Sequence, residues 1–199
     1  DFPPLHPETK LGVGDDAAVL QPPAGEQLVV TTDILLEGIH FDLRYTPLHH
    51  LGYKAVAVNL SDVYAMNARP VAITVTIGVS QRFMVEQLEE LYRGIRYACR
   101  EFEVDLVGGD TSASLTGLTI SVTAMGFAKP EALCYRSGAQ PNELICVTGN
   151  VGAAYVGLRI LELEARVLEK QPAAQPKLEG YEYVLERILR PRPRQDAYL

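Results

Sequence analysis

The chain has 199 residues, of which 25 are acidic and 18 basic, so its formal net charge is −7. An acidic chain of this kind lacks the basic face that binding to nucleic acid or to anionic membranes requires. Three cysteines without a close pair argue against a disulfide framework and against a cysteine-based zinc site. Residues 1–10 lack an apolar core, so a signal peptide is not predicted and the expected location is the cytoplasm.

The first half of the chain alternates predicted strands and helices. Residues 28–35 predict a buried strand, and residues 48–66 predict a helix that Pro70 is expected to end. Residues 71–79 alternate β-branched side chains on one face with small or polar ones on the other, as in a strand. Residues 84–102 carry leucine and isoleucine at helical spacing and predict an amphipathic helix.

Further strands and helices follow in the second half. Residues 104–107 predict a short strand that ends at Gly108-Gly109. The remaining predicted elements are two strands and two helices, at 118–124, 144–148, 152–169 and 179–189. This mixture predicts an α/β (α+β) fold. Turn-forming residues near 135–142 suggest a boundary between two units.

Five of the nine aspartates stand among glycine, threonine or apolar neighbours. They lie in the segments GVGDDAA at 12–18, TTD at 31–33, NLSD at 59–62 and GGDT at 108–111. Carboxylates beside hydroxyl groups are the hard oxygen ligands that Mg²⁺ prefers, and glycines let backbone N–H groups approach phosphate oxygens. Each segment alone is more often an ordinary turn or strand end. Their joint occurrence predicts a site for Mg²⁺ and a polyphosphate.

The common nucleotide-binding and hydrolase motifs are absent from the sequence. There is no GxGxxG, GxxxxGK[ST], protein-kinase catalytic loop, HExxH or GxSxG. The predicted nucleotide site must therefore be of another type. Asp62 is expected in a largely buried helix, because Leu60 and Val63 flank it, and a buried carboxylate needs a partner or a metal.

Five segments in a fixed order carry a resemblance to a known family. They are GVGDDAAVL at 12–20, TTDILLEGIHF at 31–41, YKAVAVNLSDVYAM at 53–66, LVGGDT at 106–111 and YRSGAQPNELICVTG at 135–149. On these segments the chain resembles the thiamine-monophosphate kinase family, within the superfamily that includes aminoimidazole ribonucleotide synthetase and selenophosphate synthetase. The EGIHF segment at 37–41 points to the kinase within that superfamily.

The resemblance implies a reaction in which ATP phosphorylates thiamine monophosphate directly to thiamine diphosphate, with several Mg²⁺ ions. No dedicated general base is implied, because the attacking phosphate oxygen is already ionised. The implied Mg²⁺ ligands are Asp16, Thr31, Thr32, Asp33, Asp62 and Asp110. The implied ATP contacts are Tyr92, Gly109, Asp110 and Arg136, and His40 is implied to bind thiamine monophosphate.

Some of these assignments are weaker than others when the residues are considered alone. Asp15 is a weaker metal candidate than Asp16, because consecutive extended residues point in opposite directions. Tyr92 is equally expected as an ordinary tyrosine of an amphipathic helix. Asn67 stands where the family has a glycine, a mild departure because asparagine tolerates left-handed geometry.

The resemblance also implies an architecture. Residues 1–137 are expected to form an ATP- and Mg²⁺-binding domain whose strands pair with those of a partner subunit in a homodimer, with ATP near the interface. Residues 138–199 are expected to begin a second α/β domain. Members of the family continue well beyond this length with further metal ligands, so the chain is expected to be a fragment.

Two alternatives remain open from the sequence. One is another ATP-dependent synthetase of the superfamily, of the purine-pathway or selenophosphate type. The selenophosphate type is disfavoured because no cysteine or lysine pair precedes the Gly-Asp-Asp segment. The other is a non-catalytic nucleotide-binding dimer that regulates a partner.

Overall fold

The computed structural model describes residues 3–197, which are built around a four-stranded mixed sheet. In chain order the elements are β1 (Thr9–Leu11), β2 (Val19–Leu20), β3 (Gln27–Leu36), α1 (Leu48–Ala65), β4 (Arg69–Val79), α2 (Val85–Glu101), β5 (Asp105–Ala113), β6 (Thr119–Ala128), α3 (Ala153–Lys170) and α4 (Glu182–Leu189). Short 3₁₀ turns lie at Pro130–Ala132 and Gln195–Ala197. The predicted α/β class is confirmed.

The strand order of the sheet separates the candidate residues. The strands lie in the order β3-β6-β4-β5, with β6 antiparallel to both of its neighbours and β4 parallel to β5. The parallel pair is connected by α2, as a parallel crossover requires. The strands β3 and β5, which carry the TTD and GGDT segments, therefore form opposite edges of the sheet.

Helices α1 and α2 cover one face of the sheet, and they pack so closely that the backbone of one helix contacts the backbone of the other. A Cβ atom added to Gly52 would lie 2.1 Å from the carbonyl oxygen of Leu91, and one added to Gly94 would lie 1.9 Å from that of His49. Two glycines thus permit the close approach, and larger side chains fill the space below. Fully buried residues of this core include Leu51, Tyr53, Leu60, Ile73, Ile77, Ile95, Leu118 and Ile120.

The turn from α1 into β4 differs from the prediction. The helix ends at Ala65, and Asn67 makes the turn with a φ of 55°. Pro70 lies within β4, at a shift in the pairing with β6, where its missing N–H is tolerated. This shift places Val71 in a small cluster on the face opposite to the helices, whereas Ile73 belongs to the main core.

Three other strand predictions were wrong in part. β3 is an edge strand with mostly exposed side chains in this chain, so it is not buried as predicted. β5 does not end at Gly108-Gly109 but continues to Ala113, because its pairing with β4 extends that far. Residues 144–148 form no strand, and their side chains are exposed.

The second part of the chain forms a pair of helices that packs against the first part. Helices α3 and α4 meet where Gly157 lies against the backbone of Val184, within 2.1 Å of an added Cβ atom. Residues 133–152, which precede this pair, contain no helix or strand. The boundary between residues 137 and 138 stays a prediction. None of the helices within residues 3–197 is long and apolar enough to span a bilayer.

Candidate functional site

A cavity of about 440 Å³ brings together the GDD segment, β5 and α2. Its lining includes four of the predicted site residues: Asp16, Tyr92, Gly109 and Asp110. Asp110 and Gly109 are exposed at the sheet edge, since no further strand of the described chain pairs with β5. Residues that are 94 positions apart in sequence (16 and 110) therefore share one concave surface.

Gly109 is required by the close approach of β4. A Cβ atom at this position would lie 1.9 Å from the carbonyl oxygen of Val75, a contact that no side chain can make. At Gly108 the nearest atom to an added Cβ is 3.8 Å away, on Thr74. Only the second glycine of the pair is therefore fixed by packing, and the absence of both side chains leaves the strand backbone open to the cavity.

Asp105 anchors the segment that leads to the GDD turn. Its buried carboxylate accepts hydrogen bonds from the backbone N–H groups of Leu5 at 2.5 Å and His6 at 3.2 Å. It also accepts one from the hydroxyl of Thr9 at 2.6 Å. These bonds tie residues 5–9 to β5 and so position the Gly12–Ala18 segment beside Asp110. Asp105 is not among the candidates predicted from the sequence, although a lone aspartate in the apolar run VDLV is a visible signal.

Tyr92 lies half-buried between the core and the same cavity. Burial raises the pKa of its phenol group, and a hydrogen bond with Thr111 acts in the opposite direction. The tyrosine therefore packs as an amphipathic-helix residue and also faces the cavity, which combines the two sequence interpretations. Its hydroxyl group stays protonated at neutral pH and can donate a hydrogen bond.

A second group of predicted residues lies at the opposite edge of the sheet, between β3 and α1. The hydroxyl of Thr31 donates a hydrogen bond to Asp62 Oδ2 at 3.1 Å. The backbone N–H of Asp33 donates to Asn59 Oδ1 at 2.9 Å. Asp33 and Asp62 line a cavity of about 270 Å³. Asp62 is exposed, so the prediction of a buried carboxylate was wrong: Asn59 is the buried polar residue of this helix.

Thr32 does not join this group. Its hydroxyl donates to the carbonyl of Val122 at 3.1 Å and accepts from the hydroxyl of Thr123, also at 3.1 Å. Alternate residues of a strand point to opposite faces, so the side chain of Thr32 faces away from those of Thr31 and Asp33. Its assignment as a metal ligand stays a prediction, and the hydroxyl already has two partners here.

Arg136 lies beside the Thr31–Asp62 pair. It is exposed and lines a further cavity, of about 360 Å³, together with Thr31 and Asp62. A guanidinium group near two oxygen ligands is well suited to a phosphate, because its planar fork can donate two hydrogen bonds at once.

The carboxylates form two groups on this chain and not one. Asp33 pairs with Val122, Val122 with Val75, and Val75 with Gly109, so three strand spacings separate Asp33 from the neighbour of Asp110. At about 4.8 Å per spacing, this is roughly 14 Å. Within residues 3–197, no three carboxylate, histidine or cysteine side chains converge on one metal position.

His40 lies in the loop after β3, and its ring is fixed by the chain itself. Its Nδ1 accepts a hydrogen bond from the backbone N–H of Leu36 at 3.0 Å, which leaves Nε2 as the free ring nitrogen. The histidine lines a cavity of about 360 Å³ between this loop and helices α3 and α4. It therefore belongs to a third region, separate from both carboxylate groups.

Comparisons with known proteins identify the family of the chain. Residues 14–128 match the family described as AIR synthase related protein, N-terminal domain. The thiamine-monophosphate kinase of Bacillus subtilis is 34% identical over 189 residues, which cover 95% of this chain and 56% of that protein. The crystal structure of thiamine-monophosphate kinase from Stenotrophomonas maltophilia K279a is 38% identical with a TM-score of 0.81, covering 97% of this chain and 58% of that one.

A further solved structure contains ligands. AaThiL complexed with AMPPCP and TMP is 31% identical to this chain with a TM-score of 0.74, covering 95% of this chain and 56% of that one. The chain spans about half the length of the curated relatives it matches. These proteins are what the chain resembles over nearly its whole length.

Proposed function

The chain belongs to the family of AIR synthase related proteins, and from that premise we propose that it forms the nucleotide-binding part of a thiamine-monophosphate kinase. In the proposed reaction, a phosphate oxygen of thiamine monophosphate attacks the γ-phosphorus of ATP. The bond from that phosphorus to the β–γ bridging oxygen breaks, which gives thiamine diphosphate and ADP. The names of the relatives and the EGIHF segment at 37–41 support this acceptor.

The observation that carries the proposal is the cavity shared by Asp16, Tyr92, Gly109 and Asp110. It combines an exposed strand backbone without side chains, two carboxylates and an aromatic ring. A nucleoside triphosphate would place its phosphates against the strand backbone and, through Mg²⁺, against the two carboxylates. Its base would lie near the aromatic ring. A protein that only dimerises has no need for this combination.

The donor set suits Mg²⁺. Magnesium is commonly held by one or two carboxylates together with substrate phosphates, so each of the two pairs is sufficient without a third carboxylate. Asp16 and Asp110 would hold metal on one side, and Asp33 and Asp62, with Thr31, on the other. Bound Mg²⁺ would supply neutralisation of the charge on the phosphates.

The chain's own residues have distinct proposed roles. Gly109 and the backbone beside it give phosphate oxygens access to the strand edge. Arg136 donates to a phosphate of ATP, and the hydroxyl of Thr31 keeps the Asp62 carboxylate oriented. His40 offers Nε2 to thiamine monophosphate, since Nδ1 is already engaged. None of these residues acts as a general base, because the nucleophile is already an anion.

The proposal includes a homodimer that forms through the sheet. Leu28, Val30 and Ile34 project from one side of edge strand β3 and are 51%, 55% and 51% exposed. An exposed apolar edge strand is a pairing surface, and a second copy would bury these side chains. Sedimentation equilibrium tests this part: a dimer is expected, and Ile34→Lys should shift it towards monomer. A monomeric wild-type protein would contradict it.

Activity is the decisive test, and it is made with the whole protein in the presence of ATP and Mg²⁺. Incubation with thiamine monophosphate should yield equal amounts of thiamine diphosphate and ADP, resolved by chromatography. Consumption of formylglycinamidine ribonucleotide instead would favour a purine-pathway synthetase. Binding of ATP without turnover of any phosphorylated acceptor would favour a non-catalytic module. The cytoplasm, where ATP is available, is the proposed location.

A further inference from the structure

The segment that follows α4 passes the cavity in which Asp33 and Asp62 lie. Pro191, Arg192 and Pro193 line this cavity together with the two carboxylates. The proline rings fix two φ angles of the segment, and a residue before proline is restricted to extended backbone conformations. Pro193 is also buried, whereas the side chain of Arg192 is 61% exposed. The backbone path is therefore constrained, and the long arginine side chain is the part that can change position.

This segment places a cation in the cavity that is proposed to hold Mg²⁺. A guanidinium group is a strong partner for a carboxylate, because its planar fork can donate two hydrogen bonds at once. Yet neither Asp33 nor Asp62 has a lysine, arginine or histidine partner within 4.0 Å among residues 3–197. Something must therefore keep Arg192 from pairing with them.

Glu101, the last residue of α2, is the partner that Arg192 has instead. Its Oε1 accepts a hydrogen bond from Arg192 at 2.6 Å, and its Oε2 accepts one from Arg190 at 3.3 Å. Glu101 does not line the cavity of the two aspartates. Arg190 does not line it either, and its guanidinium lies over the rings of Tyr53 and Tyr97. Arg192 is thus the cation of this pair that borders the cavity.

We propose that Glu101 is a positioning residue that holds the Arg192 guanidinium away from Asp33 and Asp62 and so leaves both carboxylates free for Mg²⁺. The inference rests on the proposed function for the metal and on the observed ion pairs for the means. Without the charge of Glu101, Arg192 would pair with an aspartate of the cavity that it already lines. A metal ion would then have to displace the arginine before it could bind.

Arg136 is the other cation near these carboxylates, and it does not depend on Glu101. It lines the neighbouring cavity together with Asp62. Among the residues that the structure describes, Arg136 forms no ion pair with Glu101, whose two partners are Arg190 and Arg192. Its influence on Asp62 should therefore be the same whether or not Glu101 is charged.

A purely structural role for Glu101 makes a different prediction. If the carboxylate only fastened the segment after α4 to α2, loss of Glu101 would loosen the cavity wall, and further loss of Arg192 would not repair it. If Glu101 prevents competition, removal of Arg192 also removes the competitor and restores metal binding. A double variant therefore separates the two roles.

The experiment measures binding of Mn²⁺ alone to the whole protein, without nucleotide, by the electron paramagnetic resonance signal of the free ion. Mn²⁺ takes the same carboxylate and water ligands as Mg²⁺. The binding that Asp62→Asn removes defines the site. Glu101→Gln should weaken it about twofold to fivefold, the range expected for one exposed ion pair. Glu101→Gln combined with Arg192→Gln should restore the wild-type affinity.

Two single variants complete the set. Glu90→Gln removes a carboxylate of the same helix that is paired with Arg93, so it matches the loss of charge and should leave Mn²⁺ binding unchanged. Arg192→Gln, which keeps Glu101, should bind Mn²⁺ at least as tightly as wild type. Weaker binding by Arg192→Gln would overturn the positioning role even if Glu101→Gln does not fold.

The outcomes distinguish this inference from the proposed function. Equal Mn²⁺ affinity of wild type and Glu101→Gln would overturn the positioning role and leave the metal assignment intact. A weakening that persists in the double variant would overturn it in favour of a structural carboxylate. Mn²⁺ binding that Asp62→Asn leaves unchanged would contradict the metal assignment and this inference with it. Weakening and rescue without turnover of thiamine monophosphate would support the positioning role and contradict the kinase.

Discussion

Thr31 Oγ1 and Asp62 Oδ2 lie 3.1 Å apart in a hydrogen bond that joins the exposed edge of the sheet to helix α1. The hydroxyl donates to one carboxylate oxygen and leaves the other free to face the cavity beside Asp33. Because Asn59, one turn earlier on α1, also accepts from the backbone of Asp33, two bonds fix the strand to the helix here. The carboxylate is thereby oriented before any ligand arrives.

Asp62→Asn should separate charge from geometry at this site. The amide oxygen can still accept from Thr31, so folding should be unchanged, whereas the negative charge proposed to hold Mg²⁺ is lost. We expect a fall in kinase turnover of about 100-fold, a typical cost of removing one electrostatic contact to the reacting phosphates. Glu89→Gln, at an exposed carboxylate on α2, is the control. Wild-type turnover in Asp62→Asn would contradict the metal assignment.

Gly109→Ala and Gly108→Ala should differ although the positions are adjacent. The added methyl group meets the carbonyl oxygen of Val75 at 1.9 Å in the first variant and has 3.8 Å of space in the second. The first should lose about 1–3 kcal/mol of stability through overpacking and also weaken ATP binding. Denaturant unfolding and calorimetry with ATP measure both effects. Equal behaviour of the two variants would show that the close approach to β4 is not required.

Asp105→Asn tests the anchor of the GDD segment. The replacement turns one accepting oxygen into a donor, which leaves at least one of the three donors, the N–H groups of Leu5 and His6 and the hydroxyl of Thr9, without its partner at this largely buried carboxylate. An unsatisfied buried group costs about 1–3 kcal/mol, and we expect that loss in urea unfolding. Hydrogen exchange should also accelerate over residues 5–18. Unchanged exchange there would mean that the carboxylate does not hold the segment.

Arg190 should fasten the end of α4 to the first part of the chain. Its guanidinium lies 4.8 Å from the ring centre of Tyr53 and 4.7 Å from that of Tyr97, and it donates to the Tyr97 hydroxyl at 2.8 Å. Arg190→Met should lower stability by about 1–2 kcal/mol. Arg93→Met, which breaks only an exposed pair with Glu90, should cost under about 0.5 kcal/mol. Thermal unfolding compares them, and equal losses would contradict the docking role.

The three cysteines should react very differently with an alkylating reagent. Burial raises the pKa of the Cys99 thiol to about 12, so it stays protonated at pH 8 and is also shielded. Cys134 and Cys146 are exposed. Mass spectrometry should therefore find two labelled thiols in the folded protein and three after denaturation. Labelling of Cys99 in the folded state would show that the core around it opens readily.

The main elements could be predicted because each has a local cause. The alternation in residues 71–79 and the helical spacing in 84–102 reflect burial of one face, which is visible in the sequence itself. The end of β5 and the missing strand at 144–148 could not be predicted in this way. A strand exists only where a neighbour supplies hydrogen-bonding partners: Gly109 has Val75, and residues 144–148 have none among the described strands.

The sequence by itself identified the candidate side chains, because the GDD, TTD, NLSD and GGDT segments carry carboxylates, hydroxyl groups and glycines together. Only the tertiary structure decided how they group. Strand order puts Asp33 and Asp110 at opposite edges, the pleat turns Thr32 away from Thr31, and the packing of α3 and α4 forms a separate cavity beside His40. These relations depend on contacts between residues far apart in the chain, and such contacts leave no local pattern in a single sequence.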